Sequence, residues 1–265
     1  MTLRIAILGI TGRLGRAIAQ AAHEDGRVVL TGGIVRSDYE GDSFDIGDIA
    51  GIGPMGVSAC VGIEEGCSNA DILIDASAPE AGIAAAERLA KQSGVALVTG
   101  VTGFDADQKP KLATASKSIP ILAARNFSLG VALLESLTRQ ASAALPKAGW
   151  DAEISETHHR HKIDAPSGTA LALGEAVAGG RGQNLASVSV VARSGQRAPG
   201  AIGFSCSRGG GVIGEHAVRF LSDLEDITLS HKAHDRSVFA KGAIEAALWL
   251  HGKAPGLYAM SDVMG

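Results

Sequence analysis

The 265-residue sequence contains only three cysteines, Cys60, Cys67 and Cys206. They are too few and too scattered for a disulfide framework or a metal knuckle, and they suit a reducing compartment. Aromatic residues make up 4% of the chain, and no apolar run reaches the length that crosses a bilayer. The first residues lack a basic stretch followed by an uninterrupted apolar core, so no secretory signal is expected. Positive charge is not in excess: 24 Lys and Arg stand against 28 Asp and Glu, a formal net charge of −4. That balance argues against a general nucleic-acid binder. No internal repeat and no low-complexity tract is present. These absences point to a cytoplasmic globular protein with no nucleic-acid and no membrane partner. Hydrophobic residues, at 46%, are enough for a sizeable core, and the 35 glycines occur singly and in motifs, as turns and ligand loops do.

The N-terminal half alternates short apolar β-branched runs with helical patterns. Leu3 to Leu8 reads as a buried parallel strand, and Gly9, Gly12 and Gly15 follow at once, ahead of a helical period from Arg16. Strand, glycine turn and helix together form the setting of a dinucleotide fingerprint. Gly9 permits the tight turn, Gly12 lets backbone approach a pyrophosphate, and Gly15 lets the helix pack closely on the sheet. A second strand ends at Val35, where an acid would normally meet the adenine ribose, and Arg36 follows. A guanidinium suits a 2′-phosphate, so NADPH is favoured over NADH; Asp38 or Glu40 folding back to the ribose is the alternative. Residues 37–56 read as a long irregular segment. Further strands end near Asp75, Thr99 and Ala123, with an Ala-rich helix to about residue 92 and another beginning at Asp105. The pattern predicts a doubly wound parallel sheet of Rossmann type, with ligands at the carboxyl ends of the strands. Gly12, Ser77, Gly100, Thr102 and Asn126 would lie along that rim.

The C-terminal half changes pattern. A helix over 131–144 carries Leu133, Leu134 and Leu137 at helical spacing, most of them core, and strands are expected over 151–157, 187–193, 202–207, 212–221 and 226–231. Arg208 to Gly211 reads as a hairpin-like turn. A helix over 237–250 should return to the first domain. The fold class is therefore α/β, an N-terminal Rossmann domain (1–125, completed by 233–265) plus an α+β substrate and oligomerisation domain with a mixed sheet (126–232). In that second domain, His158, His159, Arg160, His161 and Lys162 are consecutive, and a Pro-Ser-Gly-Thr turn opens a helix at Gly168. A carboxylate could be held by Lys162 and the N–H groups of Gly168 and Thr169, with an imidazole nearby to move a proton. A solvated basic loop capped by Ser167 or Thr169 is the plain alternative. A metal site from His158, His159 and His161 is disfavoured, because adjacent strand residues face opposite ways and no second ligand group has zinc-like spacing; no metal is expected.

The stretch from Glu156 through His158, His159, Lys162, Asp164 and Gly168 to Thr169 resembles the signature of the dihydrodipicolinate reductase family. Gly9 to Gly15, Gly100 to Phe104, Asn126 to Ser128, Gly214 to His216 and Arg236 to Ala243 agree with it. The resemblance implies hydride transfer from NADPH or NADH to a small dicarboxylate imine, in lysine and diaminopimelate biosynthesis, by a homotetramer. By matching position it implies that His158 donates the proton, with Lys162 as a second donor. It makes His159, Gly168 and Thr169 substrate contacts. Gly9, Ile10, Thr11, Gly12, Arg13, Leu14, Gly15, Arg36, Gly100, Val101, Thr102, Ala124, Arg125, Asn126 and Phe127 become cofactor contacts. Val101 stands where the family usually has Thr, and Arg125 where it usually has a small residue. Two other classes compete: a semialdehyde dehydrogenase, which would need a nucleophilic cysteine, and an NADPH-sensing regulator, which would not need His158 and Lys162 together.

Overall fold

The structure, a computed structural model, describes residues 2–92 and 94–264. They form two compact units, one of residues up to 127 together with those from 237 onward, the other of residues 128–236. The sequence reading divides the chain at 125/126 and 232/233.

The first unit begins with β1 (Leu3–Leu8), α1 (Arg13–Glu24) and β2 (Val28–Ile34). It continues through α2 (Ile46–Ala50), α3 (Ile63–Gly66), β3 (Ile72–Asp75), α4 (Pro79–Leu89), β4 (Ala96–Thr99), α5 (Gln108–Ala115) and β5 (Pro120–Ala123). Every residue of β3 and β4 is buried, as strands covered on both faces require. The segment read as irregular holds α2. Asp45 caps it, accepting from the N–H groups of Gly47 at 2.8 Å and Asp48 at 3.3 Å, and from Met55 and Gly56 beyond. The Ala-rich helix stops at Leu89. The next one starts at Gln108 and not at Asp105, because the Asp105 carboxylate takes the N–H groups of Asp107 and Gln108 in a turn.

The second unit contains α6 (Leu129–Ala144), β6 (Asp151–His158), α7 (Gly168–Gly180), α8 (Leu185–Val188), β7 (Ser189–Val190), β8 (Ile202–Arg208), β9 (Gly214–Leu221) and β10 (Asp226–Ala233). Its mixed sheet runs β10-β9-β6-β8-β7. The alternation of β6 buries Ala152, Ile154, Glu156 and His158 on one face. The apolar members of that face join Val218 and Phe220 against Leu134, Leu173 and Val177 in one core.

Three expectations fail here. Residues 187–193 are not a full strand: the Asn184 side chain accepts from the Ala186 N–H at 3.0 Å and starts α8, leaving a two-residue β7. Arg208 to Gly211 is not a hairpin, because β6 lies between β8 and β9 and the turn carries the chain across it. Leu133 and Leu137 are exposed, and only Leu134 of the three is core. The leucine spacing marks a helix but is wider than the buried stripe.

The chain then re-enters the first unit through α9 (Ser237–Leu250), β11 (Gly256–Tyr258) and α10 (Met260–Val263). Helix α9 packs on α1, as expected of the returning helix. Strand β11 pairs with β5, completing a parallel sheet in the order β11-β5-β4-β3-β1-β2.

Candidate active site

In the first unit, the rim is built by loops that leave the carboxyl ends of β1, β3, β4 and β5. Gly9 has φ +81°, and a Cβ there would lie 2.9 Å from the Ala76 carbonyl oxygen; a Cβ on Gly15 would lie 2.3 Å from the Gly9 carbonyl. Only glycine fits at both positions, so the turn closes tightly onto the β3 exit and onto its own helix. Gly12 is the N-cap of α1 and makes no side-chain cap. The first turn of α1 therefore offers backbone N–H groups and the positive end of a helix dipole, which fits a pyrophosphate. Asp75, fully buried at the end of β3, accepts from Thr99 Oγ1 at 2.9 Å and from the Ser77 N–H at 3.0 Å. Thr99 Oγ1 in turn accepts from the Val101 N–H at 3.2 Å. Burial pushes the Asp75 carboxyl up, against the pull of these donors.

The expected cofactor residues divide by burial. Thr11, Leu14, Gly100 and Asn126 are half-buried, while Gly12, Arg13, Thr102 and Arg125 are exposed on the rim. Ile10, Val101, Ala124 and Phe127 are buried, so their side chains are core, and Phe127 packs where a Cβ on Gly100 would otherwise stand. Val35 is buried as well. The Arg36 side chain is 84% exposed and pairs with Asp38 at 3.1 Å.

In the second unit, His158 ends β6 with its ring buried. Its Nδ1 is hydrogen-bonded to Glu156 Oε2. The other Glu156 oxygen accepts from the Ser167 N–H at 3.1 Å and from Arg208 Nη2 at 2.8 Å. Ser167 caps α7, its Oγ accepting from the Ala170 N–H at 3.2 Å and lying 3.3 Å from His216 Nε2. The His158 and His216 rings meet edge-on with centroids 5.0 Å apart. Lys162 Nζ pairs with Asp164 Oδ1 at 2.9 Å, and the Lys162 N–H donates to the His159 carbonyl at 3.1 Å. Gly168 opens α7, and a Cβ there would meet nothing within 4 Å. Thr169 follows it in the first turn. The corner thus gathers an imidazole, an ammonium and a helix N-terminus.

The electrostatics follow from burial and partners. Burial works to raise Glu156, but Arg208, His158 and the Ser167 N–H outweigh it and hold the carboxyl below its usual range. Burial lowers His158, and the charges of Lys162 and Arg208 add to that, against the opposite pull of Glu156. Burial, then the neighbouring His158, holds His216 down to about 4, so it is neutral. Glu156, His158 and His216 each bring one ligand atom within 4.8 Å of the others. The Glu156 carboxylate is already paired with the Arg208 guanidinium at 2.8 Å, which is unfavourable to a further cation. Glu156, Arg208 and His216 carry no role in the sequence reading. Glu156 and His216 lie in the stretches that resemble the family, and the two-residue spacing of Glu156 and His158 puts both on one face of a strand.

Two family models match the chain: "Dihydrodipicolinate reductase, N-terminus" over residues 3–127 and "Dihydrodipicolinate reductase, C-terminus" over 130–264. The 4-hydroxy-tetrahydrodipicolinate reductase of Caulobacter vibrioides is 50% identical, across 99% of this chain and 97% of that protein. The enzyme of the same name from Sinorhizobium medicae is 46% identical over the same shares. Among solved structures, a dipicolinate-bound dihydrodipicolinate reductase from Paenisporosarcina sp. TG-14 shares the fold, with a TM-score of 0.78 at 22% identity, covering 98% of each chain. Matched in both halves and along almost its full length, the chain belongs to the dihydrodipicolinate reductase family.

Proposed function

We propose that this protein reduces 4-hydroxy-tetrahydrodipicolinate to tetrahydrodipicolinate in lysine and diaminopimelate biosynthesis, with NAD(P)H as the reductant. The observation that carries the reading is the corner at the end of β6. His158, Lys162 and the first turn of α7 converge there, and the charge of Lys162 reaches the His158 ring. A bound nicotinamide supplies the hydride. The first turn of α1 holds the pyrophosphate, and the backbone of the loops after β3, β4 and β5 lines the rim. In the second unit, Lys162, Gly168 and Thr169 hold a substrate carboxylate, together with the dipole of α7, and His159 adds a contact. His158 delivers the proton that quenches the anion left by hydride addition, and Lys162 is a second donor. A substrate carboxylate beside His158 favours the imidazolium and opposes the effect of burial.

NADPH is the preferred cofactor. Val35 is buried and offers the ribose nothing, whereas Arg36 is exposed and can exchange Asp38 for a 2′-phosphate. The protein works in the cytoplasm as a homotetramer. Its three cysteines are unpaired, and no described helix is long and apolar enough to cross a membrane. A thiol-dependent dehydrogenase is disfavoured: burial pushes up all three thiols, Cys67 to about 12.

The test is loss of nicotinamide absorbance when substrate is generated in situ from pyruvate and aspartate semialdehyde. Turnover that needs both precursors, and competitive inhibition by pyridine-2,6-dicarboxylate, are expected. NADPH oxidation independent of the substrate, or none at all, would remove the assignment.

A further inference from the structure

Glu156 precedes His158 by two residues on β6, so the strand places both side chains on the same buried face. The carboxylate is 1% exposed and both of its oxygens are engaged. One oxygen meets His158 Nδ1; the other takes the Ser167 N–H and the Arg208 guanidinium. A strand could be tied to a helix cap by neutral groups at far lower desolvation cost. A charge kept here, against an imidazole, does something that a neutral tie would not.

The geometry around the ring says what. With Nδ1 occupied, Nε2 is the nitrogen left to meet a ligand. On that side stands Gly214, where a Cβ would come within 3.2 Å of Nε2, so glycine there keeps a side chain off the nitrogen. The groups that face His158 come from several elements. Glu156 lies on its own strand, Arg208 at the end of β8, His216 on β9, and Lys162 in the loop after β6, itself paired with Asp164, while Ser167 at the head of α7 touches Glu156 and His216. His231 stands opposite His216 on β10. Glu156 favours the imidazolium, while Lys162 and Arg208 oppose it.

Resting on the reading of His158 as proton donor, we propose that Glu156 is a positioning residue for that transfer. It fixes the neutral ring with its proton on Nδ1, directs Nε2 to the substrate, and stabilises the protonated form. Through the Ser167 N–H it also joins the donor to the head of the helix that holds the substrate carboxylate. Arg208 keeps Glu156 ionised for this task.

The experiment is a nitrogen–proton correlation titration of the imidazoles in the full chain, with His158 assigned by its loss in His158→Gln. The kcat pH profile is measured in parallel. Wild type should show the neutral His158 ring protonated on Nδ1. Glu156→Gln should lower its titration midpoint by roughly one to two pH units and move the alkaline limb of kcat down with it. At neutral pH kcat should fall roughly ten- to a hundredfold, with NADPH affinity unchanged. Glu156→Asp, which keeps the charge, should recover much of both. If Glu156→Gln does not fold, the wild-type ring decides: a neutral His158 protonated on Nδ1 supports the proposal, and one protonated on Nε2 overturns it. A wild-type ring protonated on Nε2, or variants whose midpoint and pH limb stay at the wild-type values, would overturn the proposal even if rates fell. Failure of the wild type to turn over the substrate would instead overturn the reading beneath it, and the titration would still report on the Glu156–His158 pair.

Discussion

At the scale of single residues, the proposed proton donor and the proposed cofactor selector make separable demands. His158→Gln should lower kcat by about two to four orders of magnitude, the cost of losing a general acid. The dinucleotide dissociation constant should hardly move, because the glycine turn belongs to the other unit. Near-normal turnover would remove His158 from its role. Arg36→Ala should weaken NADPH and leave NADH almost unchanged, erasing a preference of roughly ten- to a hundredfold that one charge-assisted contact supports. The existing pair with Asp38 puts the value toward the low end. Equal weakening of both cofactors, by calorimetry, would contradict the assignment. His158 and Lys162 were legible because three histidines, an arginine and a lysine in a row have few ordinary uses. Glu156 and Arg208 were not. An acid in an alternating strand and an arginine beside three glycines each have an ordinary reading, and only a contact across 52 residues shows that they belong together.

At the scale of elements, the second unit depends on how α7 begins. Ser167 caps it and also touches His216, so Ser167→Ala should cost about 1 kcal/mol, read as a lower midpoint in urea. An unchanged midpoint would mean that water replaces the cap in full. The same corner sets an acid limit. The folded Glu156 carboxyl lies below its unfolded value of about 4.3, so its contribution is complete above that pH and is lost as pH falls through the lowered folded value. Acid unfolding should therefore begin earlier in wild type than in Glu156→Gln, measured against each protein's own stability at neutral pH. Most strands and helices were readable, since periods of two and 3.6 are local properties of sequence. The sheet order was not: nothing near residues 208–211 reveals that β6 will lie between β8 and β9. Residues 187–193 misled for a related reason, because β-branched composition does not register that Asn184 starts a helical turn first.

At the scale of the whole molecule, the first unit is discontinuous. Its sheet lacks an edge strand until β11 pairs with β5, and its α1, packed against α2, stays open on the side that α9 later covers. The second unit, by contrast, is one continuous segment, 128–236. During synthesis the later-coded unit is thus complete while the earlier one still waits, with the β5 edge and the apolar bed of α9 open to other chains. A chain ended after residue 236 should accumulate in inclusion bodies rather than as a soluble NADPH binder, and recovery of a soluble, dinucleotide-binding product would show that the last segment is dispensable. A ribosome that stalls anywhere between residues 128 and 236 therefore leaves the β5 edge and the bed of α9 sticky, whether or not the second unit has finished folding.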